Sequence, residues 1–380
     1  MYDLTIIGGG PAGCRLAMLL SKGHRVAVIE EHENAGTPLQ CAGLVSPRTV
    51  DSVTKNSVLM EIKDYVLHSP SDKRIELHAK EPKGVVIDRS GFDLALAERA
   101  ADLGADFMYG ARATDFALNG GSVSIKCRSG GGTKEIESSL LVGADGPRSI
   151  VRSTVTAKPH AIIYKGAQFE GNDPSSSDGT VEMWIGNKVA PGFFVWKIPT
   201  GDTVRIGLCT SSDDSSMTLL KAFVNRNYPG LKVTDKQAGL IPVGPMGKLC
   251  KGRLALIGDA GGQIKPVTGG GVFLGKRAAE LMSEAVERNG ADPKALAAYE
   301  KAYSDEFGKE ISRAWILRKL MNRLSDKKMD SAVEMLSDPL VTKILQQSGD
   351  IDAPAELASA IMTKMPKVIQ FAPALLRSLI

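Results

Sequence analysis

Apolar residues open the chain in a short continuous run, Leu4 to Ile7, that stops at a glycine cluster and predicts a brief buried strand. From Cys14 to Lys22 the apolar positions are spaced instead, with Leu16, Leu19 and Leu20 on one face, as in a helix. Arg25 to Glu30 is again continuous, so strand, helix and second strand follow one another within thirty residues. Leu140 to Ala144 and Arg253 to Ile257 are two further apolar runs, the first entering an Asp-Gly turn and the second ending in Gly-Asp. Between them lie strand-like runs at Tyr164 to Gly171, Thr180 to Gly186, Phe193 to Pro199 and Thr203 to Cys209. Polar turns at 173–178 and 200–202 divide them, which predicts an antiparallel sheet. Beyond about residue 290 the pattern is helical, broken by the polar stretch Ser348 to Asp352 and by Pro354, Pro366 and Pro373. The class is therefore α/β, with no internal repeat.

Composition narrows this picture. With 380 residues, 43% hydrophobic and 24% charged, the chain can bury a large core. Its forty glycines exceed the average of about 7% and have no collagen-like period, so tight turns matter. No run reaches the ~18 uncharged apolar residues of a spanning helix. The start shows no basic segment leading into a cleavable apolar one, so a cytoplasmic location is expected. Five dispersed cysteines, Cys14, Cys41, Cys127, Cys209 and Cys250, have neither the spacing of a metal or iron–sulfur site nor that of a disulfide framework, and no metal is expected. A net charge of +4 without basic blocks argues against nucleic acid as a partner.

The chemistry begins in the first turn. Gly8, Gly10 and Gly13 form GxGxxG between strand and helix: the first permits the tight turn, the second lets backbone approach a pyrophosphate, and the third lets helix and strand pack closely. The helix start favours anions. Glu30 ends the second strand, where a carboxylate can accept both ribose hydroxyls of a bound dinucleotide.

The turns at Asp145-Gly146 and Gly258-Asp259, with the glycine cluster Gly269 to Gly271 and the helix from Val272, resemble the ordered signatures of the hydroxylase-like FAD superfamily. Alone, either aspartate reads as a turn cap. The resemblance implies FAD on a discontinuous Rossmann-like domain of residues 1–70, 85–160 and 250–300. It implies a substrate domain of 70–85 and 160–250, an antiparallel sheet, followed by a helical C-terminal region, 300–380. In that superfamily the second aspartate, here Asp259, binds the ribityl chain or pyrophosphate.

Cys41 to Ser46, Asp88 to Asp93 and Pro191 to Pro199 are similar to the geranylgeranyl reductase family, digeranylgeranylglycerophospholipid reductases included, over residues 1 to about 300. The resemblance implies FAD contacts at Ala12, Glu30, Cys41, Ala42, Arg89, Ala113, Asp259, Gly271 and Val272. Arg89 reads equally as a cation beside the cofactor or a solvated charge at a helix start. Cys41 is the candidate catalytic residue, shaping the space at the flavin or delivering a proton. The family's substrate motif is matched in part, by Phe194, Trp196, Ile198 and Pro199, with Gly207 and Cys209 downstream. Phe194 and Trp196 share a strand face and suit either an apolar substrate or core packing. The implied activity is reduction of carbon–carbon double bonds in prenyl lipid precursors. Oxygen-dependent hydroxylation, halogenation and plain electron transfer are the alternatives. With one dinucleotide fingerprint, the chain needs an external electron donor, ferredoxin or NAD(P)H. Arg313, Arg318, Lys319, Arg323, Lys327 and Lys328 stand among Trp315, Ile316, Leu317, Leu320, Met321 and Leu324, and the chain ends on an apolar run from Pro373. That pattern fits a membrane surface or helices packed on their own protein.

Overall fold

The computed structural model describes residues 1–156, 160–173 and 179–364. The strand run opens with β1 (Tyr2–Ile7), crosses through α1 (Pro11–Leu20) to β2 (Val26–Ile29), and continues with β3 (Leu44–Val45), β4 (Val58–Ile62), β5 (Asp64–His68), β6 (Arg74–His78) and β7 (Gly84–Ile87). Helix α2 (Arg89–Asp102) leads to β8 (Asp106–Met108), then to a meander of β9 (Arg112–Asn119), β10 (Ser122–Ser129) and β11 (Gly132–Gly143). After α3 (Arg152–Val155) come β12 (Ile162–Asn172), β13 (Val181–Ile185), β14 (Phe194–Pro199), β15 (Val204–Thr210), α4 (Ser216–Asn227) and β16 (Lys232–Val243). The chain returns through β17 (Cys250–Lys251) and β18 (Leu254–Leu256) and ends in α5 (Val272–Asn289), α6 (Pro293–Met321), α7 (Asp326–Leu336), α8 (Pro339–Ser348) and α9 (Pro354–Lys364).

The first sheet runs β17-β18-β11-β1-β2-β8, parallel from β18 to β8. Its central strands are covered on both sides, which is why their sequences are continuously apolar. One face packs Leu4, Ile6, Val28 and Val142 under α1, α2, α5 and α6. The other packs Ile7, Ile29 and Leu141 under Val123 and Ile125 of the meander.

The second sheet runs β16-β12-β15-β14-β13-β5-β6. Its pairs are antiparallel except β13 with β5, so the sheet expected to be antiparallel carries one parallel pair. Residues 64–70, placed in the cofactor domain from sequence, contribute β5 to this second sheet. The polar Ser69 to Asp72 stretch is the turn of the β5-β6 hairpin, closed by Ser69 N–H to Lys73 O at 2.8 Å and by Asp72 at φ +63°. Helix α4 covers the outer face through Leu220, Phe223 and Val224 against Val195, Ile206 and Leu208. The opposite, inner face meets the Cys41 loop, where Gln168 donates to the Cys41 carbonyl. A third, small sheet, β3-β7-β4, joins the two.

Asp292 and Asp338 cap α6 and α8, each accepting from the backbone N–H two residues on. Pro354 opens α9, while Pro366 and Pro373, with the terminal apolar run, lie outside the described residues. No helix among the described residues is long and apolar enough to cross a membrane.

Candidate active site

β1 delivers the chain into Gly8 at φ +105°, where a Cβ would lie 2.4 Å from the Ala144 carbonyl oxygen. At Gly13 a Cβ would meet the Gly8 carbonyl oxygen at 2.1 Å, so only glycine lets α1 sit this close to β1. Gly10 differs. Among the described residues nothing lies within 4 Å of where its Cβ would be, and it caps α1 without a side-chain hydrogen bond or an acid in the first turn. The first-turn amides after Pro11 are left without helical partners beside that open space, as an anion requires. Glu30 closes the cradle: Oε2 accepts from Gly9 N at 2.7 Å and Oε1 from His32 N at 2.8 Å.

The other end of the cradle is built from the chain's return. Beyond β18 the turn Gly258–Gly261 brings Asp259 forward, and Gly258 and Gly275 both close on Ala12, 3.2 and 3.1 Å from their would-be Cβ positions to its Cβ. Gly271 caps α5 without a side-chain bond, leaving a second uncapped helix start, with Val272 as its first helical residue. A Cβ on Gly271 would lie 3.1 Å from Asp259 Oδ1. Burial pushes the Asp259 carboxyl up to about 6 despite the lowering pull of Arg89, and no donor among the described residues pairs with it.

Arg89 is not a solvated charge. It lies largely buried at the start of α2 and pairs through Nε and Nη2 with both carboxylate oxygens of Asp93, at 2.9 and 3.0 Å. Burial works against the guanidinium's charge, but Asp93 and Cys41 outweigh it and raise its pKa. Asp93 balances its charge within the fold. Cys41 is half-buried, whereas Cys14, Cys127, Cys209 and Cys250 are buried. Its Sγ accepts from Gly43 N at 3.4 Å and faces Arg89.

The inner face of the second sheet meets this loop. Trp196 packs with Ala42 on Ile62, Val86, Val181 and Ile198. Phe194 stacks on Phe193 at 4.4 Å, stands edge-on to Trp196 at 6.2 Å, and shares an aromatic cluster with Tyr164 and with Trp315 of α6. Ala113, on β9, is buried beside Ile7 and Ile29, the residues that lead into Gly8 and Glu30. Asp145 caps its own turn, accepting from Ile150 N at 2.8 Å, while Oδ1 is buried without a hydrogen-bond partner among the described residues. Burial raises its pKa.

Residues 1–307 match the FAD binding domain family. The chain is 32% identical to digeranylgeranylglycerophospholipid reductase of Methanothrix thermoacetophila, over 90% of this chain and 93% of that protein. It is also 32% identical to digeranylgeranylglycerophospholipid reductase 1 of Methanococcoides burtonii, over 89% and 88%. The fold matches a crystal structure of a geranylgeranyl bacteriochlorophyll reductase-like protein from Thermoplasma acidophilum with a TM-score of 0.85 at 24% identity, covering 98% of this chain and 99% of that one. The chain belongs to the geranylgeranyl reductase family of FAD-binding proteins. It is an FAD-dependent oxidoreductase.

The geometry suits this family's cofactor: an open cradle at Gly10, two uncapped helix starts, and an unpartnered carboxylate at Asp259. Several residues around the site escaped the sequence reading. Arg205 reaches from β15 to the carbonyls of Ala42 at 3.3 Å and Ile87 at 3.0 Å, its charge met by Glu170. Lys265, in the loop before Gly269, is buried and pairs with Asp352 of the turn between α8 and α9 at 2.7 Å, and Arg48 binds the other Asp352 oxygen. Arg318, counted above with the basic face of a surface helix, is 1% exposed: it donates to the carbonyls of Pro266, Val267 and Gly192 and lies 4.5 Å over the Phe193 ring. A cation flanked by apolar strand residues, as at Arg205, is the signal that was there to read.

Proposed function

We propose that this chain saturates isolated carbon–carbon double bonds of geranylgeranyl chains carried on lipid precursors. The names of its relatives in Methanothrix thermoacetophila and Methanococcoides burtonii support that substrate class. One observation carries the reading: the Cys41 to Gly43 loop meets the aromatic sheet face, where Gln168 donates to the Cys41 carbonyl at 3.4 Å and Ala42 and Trp196 pack on one apolar cluster, while Cys41 acts electrostatically on Arg89. An isolated alkene has no carbonyl to polarise, so burial must hold it. At about 0.8 kcal/mol per CH₂, one five-carbon unit contributes about 4 kcal/mol.

In this proposal Gly8, Gly10, Ala12, Gly13, Glu30, Ala42, Arg89, Ala113, Asp145, Asp259, Gly271 and Val272 hold FAD, and Phe194 and Trp196 wall the prenyl chain. When bound there and reduced, FAD would supply the hydride equivalent for one alkene carbon. Cys41 gives the Sγ proton to the other and regains it from solvent, and the apolar wall keeps water from the reacting carbons. Fixing both partners in a near-attack geometry is the protein's contribution. Electrons come from an external reduced carrier, ferredoxin in our reading. The half-exposed Ile316, Leu317, Leu320, Met321 and Leu324, beside exposed Lys319, Arg323, Lys327 and Lys328, form a face for anionic lipid.

The test is anaerobic incubation of dithionite-reduced enzyme with geranylgeranyl substrates, free, diphosphate or glycerol-linked, and mass spectrometry. A gain of two hydrogens per double bond is expected. An oxygen-dependent product would move the assignment to hydroxylation or halogenation. Cys41→Ala should keep flavin and lose turnover, and full turnover would remove Cys41 from the chemistry. Flavin reduction by NADPH at the turnover rate would exclude ferredoxin as the required donor, and absence of sedimentation with anionic vesicles at low salt would remove the membrane face.

A further inference from the structure

One cross-strand row of the second sheet places Trp196, Gly207, Gln168 and Gln237 side by side on β14, β15, β12 and β16. Gly207 leaves the row empty at its middle, and the indole fills it: a Cβ on Gly207 would lie 2.5 Å from Trp196 Cζ2 and 2.6 Å from Cε2. Lying across β15, the indole donates from Nε1 to Gln168 Oε1 at 2.9 Å. Gln168 Nε2 donates to Gln237 Oε1 at 2.9 Å and to the Cys41 carbonyl at 3.4 Å, and Gln237 passes its own N–H to Asp235 at 2.8 Å. The direction of this chain is forced. An indole N–H only donates, and a carbonyl or carboxylate only accepts, so the amide of Gln168 can face one way alone. With 4% exposure it has no water to fall back on.

We propose that Gln168 is a positioning residue of the reduction site, setting the Trp196 indole and the Cys41 loop in fixed places relative to one another. The idea rests on the prenyl-reductase reading above. It assigns to one amide the spacing between the aromatic wall and the cysteine. Arg205 reinforces it by holding the next carbonyl, Ala42, at 3.3 Å. Among the described residues neither Gln168 nor Gln237 hydrogen-bonds to Gly10 or Glu30, so the main FAD cradle is left intact when either is changed.

The experiment compares Gln168→Met and Gln168→Glu with the parent, all FAD-loaded and full-length. Gln168→Met should keep FAD content while kcat for geranylgeranyl reduction falls about tenfold with KM moving less, since the amide's three hydrogen bonds, those to Trp196 and Cys41 among them, are lost. Gln168→Glu should be as slow at high pH, where a carboxylate cannot donate to Cys41 O, and should recover as pH falls and the protonated acid again offers one acceptor and one donor. Labelling of Cys41 by a maleimide, the other cysteines being buried, should change in rate by severalfold in Gln168→Met and follow the same pH recovery in Gln168→Glu. Parental kcat and labelling in Gln168→Met would overturn the proposal, as would equal loss in both variants at every pH with falling FAD content, which marks a structural role. If Gln168→Met does not fold, Gln237→Met, which removes one link of the chain, is read by the same criteria. A parent that reduces no prenyl chain would sink the functional reading instead, and the labelling rates would still decide whether Gln168 positions Cys41.

Discussion

Replacing Gly10 by alanine should separate binding from folding. Its backbone, at φ −77° and ψ 179°, is open to any residue, and a methyl group there meets nothing within 4 Å. Gly10→Ala should therefore leave the apoprotein unharmed or stabilise it by about 0.4–1 kcal/mol, because the unfolded chain loses freedom. The methyl instead fills the space beside the uncapped start of α1, where the pyrophosphate has to approach. Losing one or two hydrogen bonds to a charged group, each about 1.5–3 kcal/mol, gives roughly 3 kcal/mol, or about a hundredfold in Kd. Gly13→Ala is the contrast: its Cβ would sit 2.1 Å from the Gly8 carbonyl oxygen, backbone against backbone, and overpacking of that kind costs about 1–3 kcal/mol or more in stability. Two assays suffice, urea unfolding of each apoprotein and FAD titration followed by flavin fluorescence. If Gly10→Ala unfolds with the midpoint of Gly13→Ala, or binds FAD as tightly as the parent, the assignment of the open space at Gly10 to the cofactor is refuted.

Other outcomes follow from the packing around the site. His68 lies between Asp72 and Glu182 at 3.1 and 3.0 Å; burial lowers its pKa, but these two carboxylates outweigh that and raise it above 6.5. Because the folded value exceeds the unfolded one, the stabilisation is complete below about pH 6.5 and is lost as pH rises through the raised folded value. Urea midpoints should show this slope for the parent and not for His68→Gln, and equal slopes would refute it. Arg318→Met strips the guanidinium's hydrogen bonds from the carbonyls of Pro266, Val267 and Gly192 and should destabilise by about 2–4 kcal/mol; a loss under ~1 kcal/mol by urea denaturation would show that these carbonyls find other donors. Asp352→Asn leaves buried Lys265 without its anion and should cost about 3–5 kcal/mol, whereas adding Lys265→Met should restore much of it. A double variant as unstable as the single one would contradict the ion-pair explanation.

The cradle was legible in the sequence because its parts are close along the chain and each obeys a backbone rule. Gly8 needs positive φ, Gly13 needs the absence of a Cβ, and Glu30 ends the next strand, where its carboxylate turns back to Gly9. Continuous apolar runs at Leu4, Val26, Leu140 and Leu254 likewise announced strands buried on both faces. Polar turns spoke less clearly: Ser69 to Asp72 reads the same whether it links domains or closes a hairpin, and only the pairing of β5 with β13 decides which. Arg318 shows the limit of periodicity. Lysines and arginines along a helix predict a solvated face, yet this one is held inside by carbonyls that lie more than fifty residues before it. Gln168, Arg205 and Asp352 were equally hidden, since Cys41, Ala42 and Lys265 come to them from 127, 163 and 87 residues away. Local sequence determines what the backbone can do within a turn or two. Which side chain a buried polar group finds is settled by sheet register and layer packing, and those exist only once the whole chain has folded.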